Sequence, residues 1–241
     1  MNTETTTAYL FHRTNPDFLG MQPVVAGEFA AIGYALLKGD HTAILERFFE
    51  ATNSANDHAW LSPNHASTFT PYAGVNCEDP MTTPIGQVFV NRARSTSTGD
   101  VIVIGNSVYR LGLDQWQLCS DVNALDFIWL IAEPQQMLQA AAHTLADRYQ
   151  TKLSFGYIGN IEAGRDDRSF MVFYHGPGRT GRSLDDGWGH FEPKNLPLMA
   201  ERAKTDHNGK GLLENWVAAK ATGDSKTGMK YTYGYVPTPR P

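Results

Sequence analysis

The sequence predicts an α+β fold: a small, mainly antiparallel sheet with packed helices, built as an N-terminal β/α unit followed by a C-terminal helix–hairpin unit. Three features carry that expectation. Residues 101–104 and 107–111 are apolar runs separated by Gly105-Asn106, and such a loop tolerates the positive φ of the type I′ or II′ turns that keep hairpin strands aligned. Residues 134–150 place Met137, Leu138, Ala141, Ala142, Leu145 and Tyr149 along one helical face. Residues 152–161 and 169–175 flank a charged turn at 163–168 and read as a second hairpin.

Residues 8–12 read as the first strand, and Asn15-Pro16-Asp17 reverses the chain after it. A short second strand is expected at Val24-Val25. Segment 26–37 reads as an additional helix, although Gly27 and Gly33 count against one. Asp40 suits the N-cap of the next helix, where Ala43, Ile44, Leu45, Phe48 and Phe49 recur at helical spacing with Glu46 and Arg47 facing out. Residues 53–84 are dense in Asn, Ser, Pro, His and Gly and read as a long loop, a length uncommon unless the loop serves a function.

Strands are expected at 86–91, in the hairpin, and at 115–119. Pairing across Gly105-Asn106 puts Ile102, Ile104, Ser107 and Tyr109 on one face and Val101, Val103, Val108 and Arg110 on the other. Both faces are largely apolar, so the hairpin belongs inside the sheet.

A composition break near Ser120-Asp121 divides the chain into 1–120 and 121–241, two units that can pack as one globule. Pro134 suits the first turn of the helix that runs to about residue 150. Residues 176–193, rich in Gly, Arg, Asp and aromatics, read as irregular. Short helices are expected at 196–204 and 212–221, and the Tyr/Pro-rich tail at 229–241 as extended chain.

Twenty Lys and Arg stand against 25 Asp and Glu, a formal charge of −5 in 241 residues. That balance is too mild for a whole-chain phosphate-binding field or for an acidic mimic of DNA. Two cysteines, Cys77 and Cys119, are too few for a disulfide framework, so reduced thiols are expected. Residues 1–7 lack the basic-then-apolar pattern of a secretory signal. The longest apolar stretch, 124–132, is too short to span a bilayer and contains Asp126. A cytoplasmic protein with no membrane partner is the expectation.

Residues Arg94, Ser95, Ser97, Gly99, Asp100, Val101, Tyr109 and Trp116 form an ordered pattern: strand, helix, Arg-Ser-x-Ser-x-Gly-Asp-Val, apolar strand, tight turn, Tyr-Arg-Leu. With the opening strand Tyr9-Leu10-Phe11-His12-Arg13, this pattern resembles the YodL-like modules of accessory proteins in bacterial plasmids and phages. The match spans roughly residues 8–119, with 53–84 standing as an insertion. The resemblance implies a small α+β fold and a mobile-element origin, often as one module of a larger polyvalent protein. It implies no reaction.

Chemistry points elsewhere, to residues 175–190. Gly176, Gly178 and Gly181 would let backbone N–H groups approach an anion, and Arg179 and Arg182 offer planar charge-assisted donors to phosphate or carboxylate. The run lacks the Gly-Lys-Ser/Thr ending of a P-loop and the spacing of a dinucleotide fingerprint, so a glycine-rich turn is the competing reading. Asp185, Asp186 and His190, with His175, could serve as metal ligands or as an acid–base pair, yet Asp185-Asp186-Gly187 is equally a turn sequence. His58 and His65 have no Cys or carboxylate cluster at metal-site spacing. Ser95 and Ser97 are expected to bond local backbone, and Trp60, Trp116, Trp129, Trp188 and Trp216 to anchor core or interface.

These observations favour a non-enzymatic accessory protein of a phage or plasmid, acting in the bacterial cytoplasm by binding a host or defence macromolecule, a protein before a nucleic acid, with no cofactor. One alternative is an enzyme or binding protein for a phosphorylated small molecule or nucleotide, with Arg179 and Arg182 on the anion and His175 or His190 as the catalytic acid–base group. A nucleic-acid binder is the other, and it requires a one-sided basic patch and a steep salt dependence. Oligomeric state is encoded in no motif.

Overall fold

The computed structural model describes residues 5–15, 17, 19–53, 85–89, 94–158, 169–175, 186–207 and 209–223. Two compact units, Met1–Ala132 and Glu133–Pro241, divide the chain. The fold is α+β, with an antiparallel sheet in each unit.

In the first unit, β1 (Thr5–Arg13), β2 (Phe29–Lys38), α1 (His41–Asn53), β3 (Ile85–Val88), β4 (Val101–Ile104), β5 (Ser107–Leu111), β6 (Trp116–Leu118) and α2 (Ala124–Ile128) follow in sequence. The strands form one six-stranded sheet in the order β3-β2-β1-β4-β5-β6. The β4–β5 hairpin has the expected register: Ile102 faces Tyr109, Val103 faces Val108, and Ile104 faces Ser107. Gly105 takes φ +56° in the two-residue loop, a conformation that glycine adopts at little steric cost. Every residue of β4 is buried, which places the hairpin's first strand inside the sheet.

A helix covers each sheet face. Ile44, Leu45 and Phe48 of α1 lie against Ala8, Leu10, Ile102 and Ile104, and Asp40 caps that helix by accepting from the Ala43 N–H at 2.9 Å. On the opposite face Phe127 of α2 meets Phe11 and Phe29 edge-on, with ring centres 5.3 and 5.2 Å away. Thus α2, which lies past the composition break at 120–121, packs into the first unit.

The helix expected at 26–37 is strand β2, preceded by a 3₁₀ turn at Ala26–Glu28. The pairing of β1 with β2 shifts between Leu10 and Phe11, leaving Ile32 as the extra residue on β2. This bulge turns Ile32 onto the α1 face, beside Ala35 and Leu37. A strand whose second face is half-buried yet still apolar at Tyr34 and Leu36, and whose phase is shifted by a bulge, has no clean polar–apolar alternation, so its Ala/Leu content imitates a helix. Val24 and Val25 are not a strand, and Val25 is exposed.

The second unit contains α3 (Pro134–Arg148), β7 (Lys152–Ile158), β8 (Ser169–His175), β9 (Asp186–Phe191), α4 (Leu196–Lys204), the short pair β10 (Asp206–His207) and β11 (Lys210–Gly211), and α5 (Leu212–Ala221). Strands β7, β8 and β9 form a three-stranded sheet. Segment 176–193, expected to be irregular, therefore supplies a third strand. Its glycines disguise it: Gly189 takes φ +73° where the β8–β9 register shifts, and a Cβ at Gly187 would run into Met171 Sδ. Helix α3 packs on α4 and β7, and α4 on α5. Trp216 and Phe170 are buried, Tyr174 meets Trp216 edge-on, and Arg148 pairs with Glu214 at 2.8 Å. No helix among the described residues is long and apolar enough to cross a membrane.

Candidate functional site

The Arg-Ser-x-Ser-x-Gly-Asp motif folds into a loop closed on its own carboxylate. Asp100 has no exposed surface. Its Oδ1 accepts from the Arg13 backbone N–H at 2.9 Å and from Arg94 Nη2 at 2.5 Å. Its Oδ2 accepts from the Ser97 N–H at 2.8 Å and from Arg94 Nη1 at 2.6 Å. Four donors on one buried carboxylate compensate its desolvation and tie the 94–100 loop to the end of β1. The same Arg94 nitrogen donates to Ser97 Oγ at 2.7 Å, and Thr96 Oγ1 stands 2.7 Å from Thr52 Oγ1 of α1.

His12 completes the cluster, with Nε2 3.5 Å from Thr96 Oγ1 and 3.7 Å from Asp100 Oδ2. Burial pushes its pKa down to about 4; the neighbouring Asp100 opposes the shift and Arg94 reinforces it. A neutral imidazole, 5 % exposed, beside a carboxylate whose lone pairs are occupied is a packed scaffold rather than an acid–base site. Arg13 is also buried. It spans Asp17 at 3.1 Å and Glu28 at 2.6 Å, with its guanidinium over the Phe29 ring.

This scaffold forms one wall of an open groove of about 760 Å³. Thr96, Ser97 and Thr98 line that side; Thr42, Leu45, Glu46, Phe49 and Glu50 of α1 line another; Leu111–Trp116 close the third through the tight β5–β6 turn. The Gly112 N–H donates to Gln115 O at 2.9 Å in that turn. Tyr109 also lines the groove, its hydroxyl 2.6 Å from His41 Nδ1 at the start of α1. Leu113, in the β5–β6 turn, lines the groove and is 67 % exposed. Leu19 and Met21, also exposed, flank Gly20, where a Cβ would stand 3.7 Å from Gly112 Cα.

The residues singled out between 175 and 190 are not drawn into a site by what is described. His175 ends β8 half-buried, its backbone paired with Lys152, and Asp186 opens β9 opposite Tyr174. Gly176, Gly178, Arg179, Gly181, Arg182 and Asp185 lie outside the described residues, as do the side chains of Asp186 and His190. His58, His65, Trp60 and Cys77 also lie outside them. Among the described residues no group of three or more His, Cys, Asp or Glu could hold a metal ion. Cys119 is half-buried and free, with burial pushing its thiol up. Trp188 and Trp216 are core residues, and Trp116 packs against the α1-facing core.

The groove escaped sequence reasoning because three separate segments build it. A signal was present nonetheless: Thr42, Glu46 and Glu50 recur every fourth residue beside Leu45 and Phe49, giving α1 a second, half-apolar stripe next to its core face. Set against known proteins, the chain matches no family model, no curated protein and no solved structure.

Proposed function

We propose that this is a non-enzymatic accessory protein of a phage or plasmid that acts by binding a host or defence protein, and that the groove beside α1 is its docking surface. The observation that carries the reading is the groove itself: an open, apolar-floored concavity with the exposed Leu113 in its lining, held on a loop fixed by the Arg94–Asp100 pair. Protein-binding surfaces combine an apolar centre with a polar rim. The mobile-element setting rests on the YodL-like pattern at Arg94–Asp100, Tyr109 and Trp116.

A photo-crosslinking amino acid in place of Leu113, with Glu201 of α4 as the comparison site, tests the reading in bacterial host cells. A discrete protein adduct from position 113, competed by unmodified protein and missing from position 201, is the expected result. No competable adduct at 113, or the same adducts from both positions, would overturn it.

A further inference from the structure

We infer that the groove takes a basic amphipathic segment of a protein partner, its apolar side chains on Phe49, Leu113 and Trp116 and its Lys or Arg side chains against Glu46, Glu50 and Asp114. The inference rests on the groove being the docking surface and adds the chemistry of the occupant. Charge is the first argument. The chain as a whole carries 25 acidic against 20 basic residues, whereas the groove lining, among the described residues, contains three carboxylates and no Lys or Arg.

Pairing is the second argument. Asp17, Glu28, Asp100, Glu192, Glu201 and Glu214 each have a cationic neighbour within 4.0 Å. Glu46, Glu50 and Asp114 are exposed and have none among the described residues; Asp40, Asp121 and Glu133 also have none, but they lie apart from the groove, whereas these three line it together. Glu46 and Glu50 are one helical turn apart, a like-charge spacing that costs an isolated helix a few tenths of a kcal/mol. An incoming cation relieves that repulsion, while Leu45, Phe49 and Leu111 give the stem of the segment an apolar floor. An acidic or phosphorylated partner would meet the same carboxylates with repulsion.

The test uses the full-length chain and two fluorescein-labelled amphipathic peptides of equal length, one of Leu and Lys and one of Leu and Glu, read by fluorescence anisotropy. Saturable binding of the Leu/Lys peptide and none of the Leu/Glu peptide is expected. Replacing the groove carboxylates together (Glu46→Gln, Glu50→Gln, Asp114→Asn) should weaken Leu/Lys binding roughly tenfold, from three exposed charge contacts of modest individual strength. A matched triple change outside the groove (Glu133→Gln, Glu192→Gln, Glu201→Gln) removes as much charge and should leave binding unchanged, and circular dichroism checks the fold of both. Equal weakening by the two triples, binding of the Leu/Glu peptide, or no peptide binding at all would overturn the inference. Leu113→Ser separates the two levels: loss of binding in this variant but not in the groove triple retains the docking surface and discards the cationic occupant, whereas no change in either discards both.

Discussion

The carboxylate of Asp100 and the guanidinium of Arg94 form a two-point ion pair, Nη2 to Oδ1 at 2.5 Å and Nη1 to Oδ2 at 2.6 Å, with the acid wholly buried and the base about one-third exposed. The asymmetry predicts unequal mutational costs. Asp100→Asn leaves two backbone N–H groups and a guanidinium competing for one carbonyl oxygen, and should cost about 2–4 kcal/mol. Arg94→Gln leaves a carboxylate that still accepts both backbone N–H groups, and should cost less. Urea denaturation of the two variants gives the order.

Acidification should destabilise the protein through His12. Its folded-state pKa, about 4, lies below the ordinary value near 6.5, so between those limits the unfolded chain binds a proton that the folded one refuses. The contribution is complete above pH 6.5 and is lost as pH falls towards 4. Between pH 7 and pH 5 the loss should be about 2 kcal/mol. Burial lowers His143 as well and acts in the same direction. Comparing the chain with His12→Gln at both pH values isolates the His12 share, since the variant should lose roughly 2 kcal/mol less on acidification.

Gly99 and Gly27 should answer differently to alanine. Gly99 has φ +90°, and a Cβ there would stand 3.0 Å from Asp17 Cβ and 3.2 Å from Asp17 O. Gly99→Ala should cost about 1–3 kcal/mol or more through backbone strain and crowding. Gly27 meets nothing within 4 Å, so Gly27→Ala should be neutral or stabilise by up to about 1 kcal/mol. Thermal unfolding of both variants is the check.

Phe127→Ala should destabilise the first unit by about 3–5 kcal/mol, because it removes the ring that α2 lays between Phe11 and Phe29. A hydrogen-exchange measurement should find the loss of protection in β1 and β2, which carry those partners. Unchanged protection in both strands would mean that α2 does not anchor that face.

Local signals made the helices and the β4–β5 hairpin legible. Periodicity marks α3, α4 and α5, Pro134 and Asp40 mark helix starts, and Gly105-Asn106 sets a register that the backbone follows pair by pair. Strands β2 and β9 were not legible, because a bulge broke the phase of one and glycines masked the other. Of the site, the motif residues Arg94, Ser97 and Asp100 could be read, but their role depends on Arg13 and Thr52, which only the folded chain brings to them. The groove carboxylates looked like ordinary solvent-facing residues until the β5–β6 turn was placed opposite them.

The position of β1 between β2 and β4 has a kinetic consequence. Arg13 and Asp100 are 87 positions apart, so the seam that joins the two halves of the sheet is a high-contact-order pairing. Hairpins closed by short connections can form early, while this seam waits on a large loop closure and should set the folding rate. Closure entropy grows only logarithmically, at about 0.6 kcal/mol for each doubling of the loop. Lengthening the chain between α1 and β3 is therefore thermodynamically cheap, and the same scaffold can carry inserts of very different size at that point.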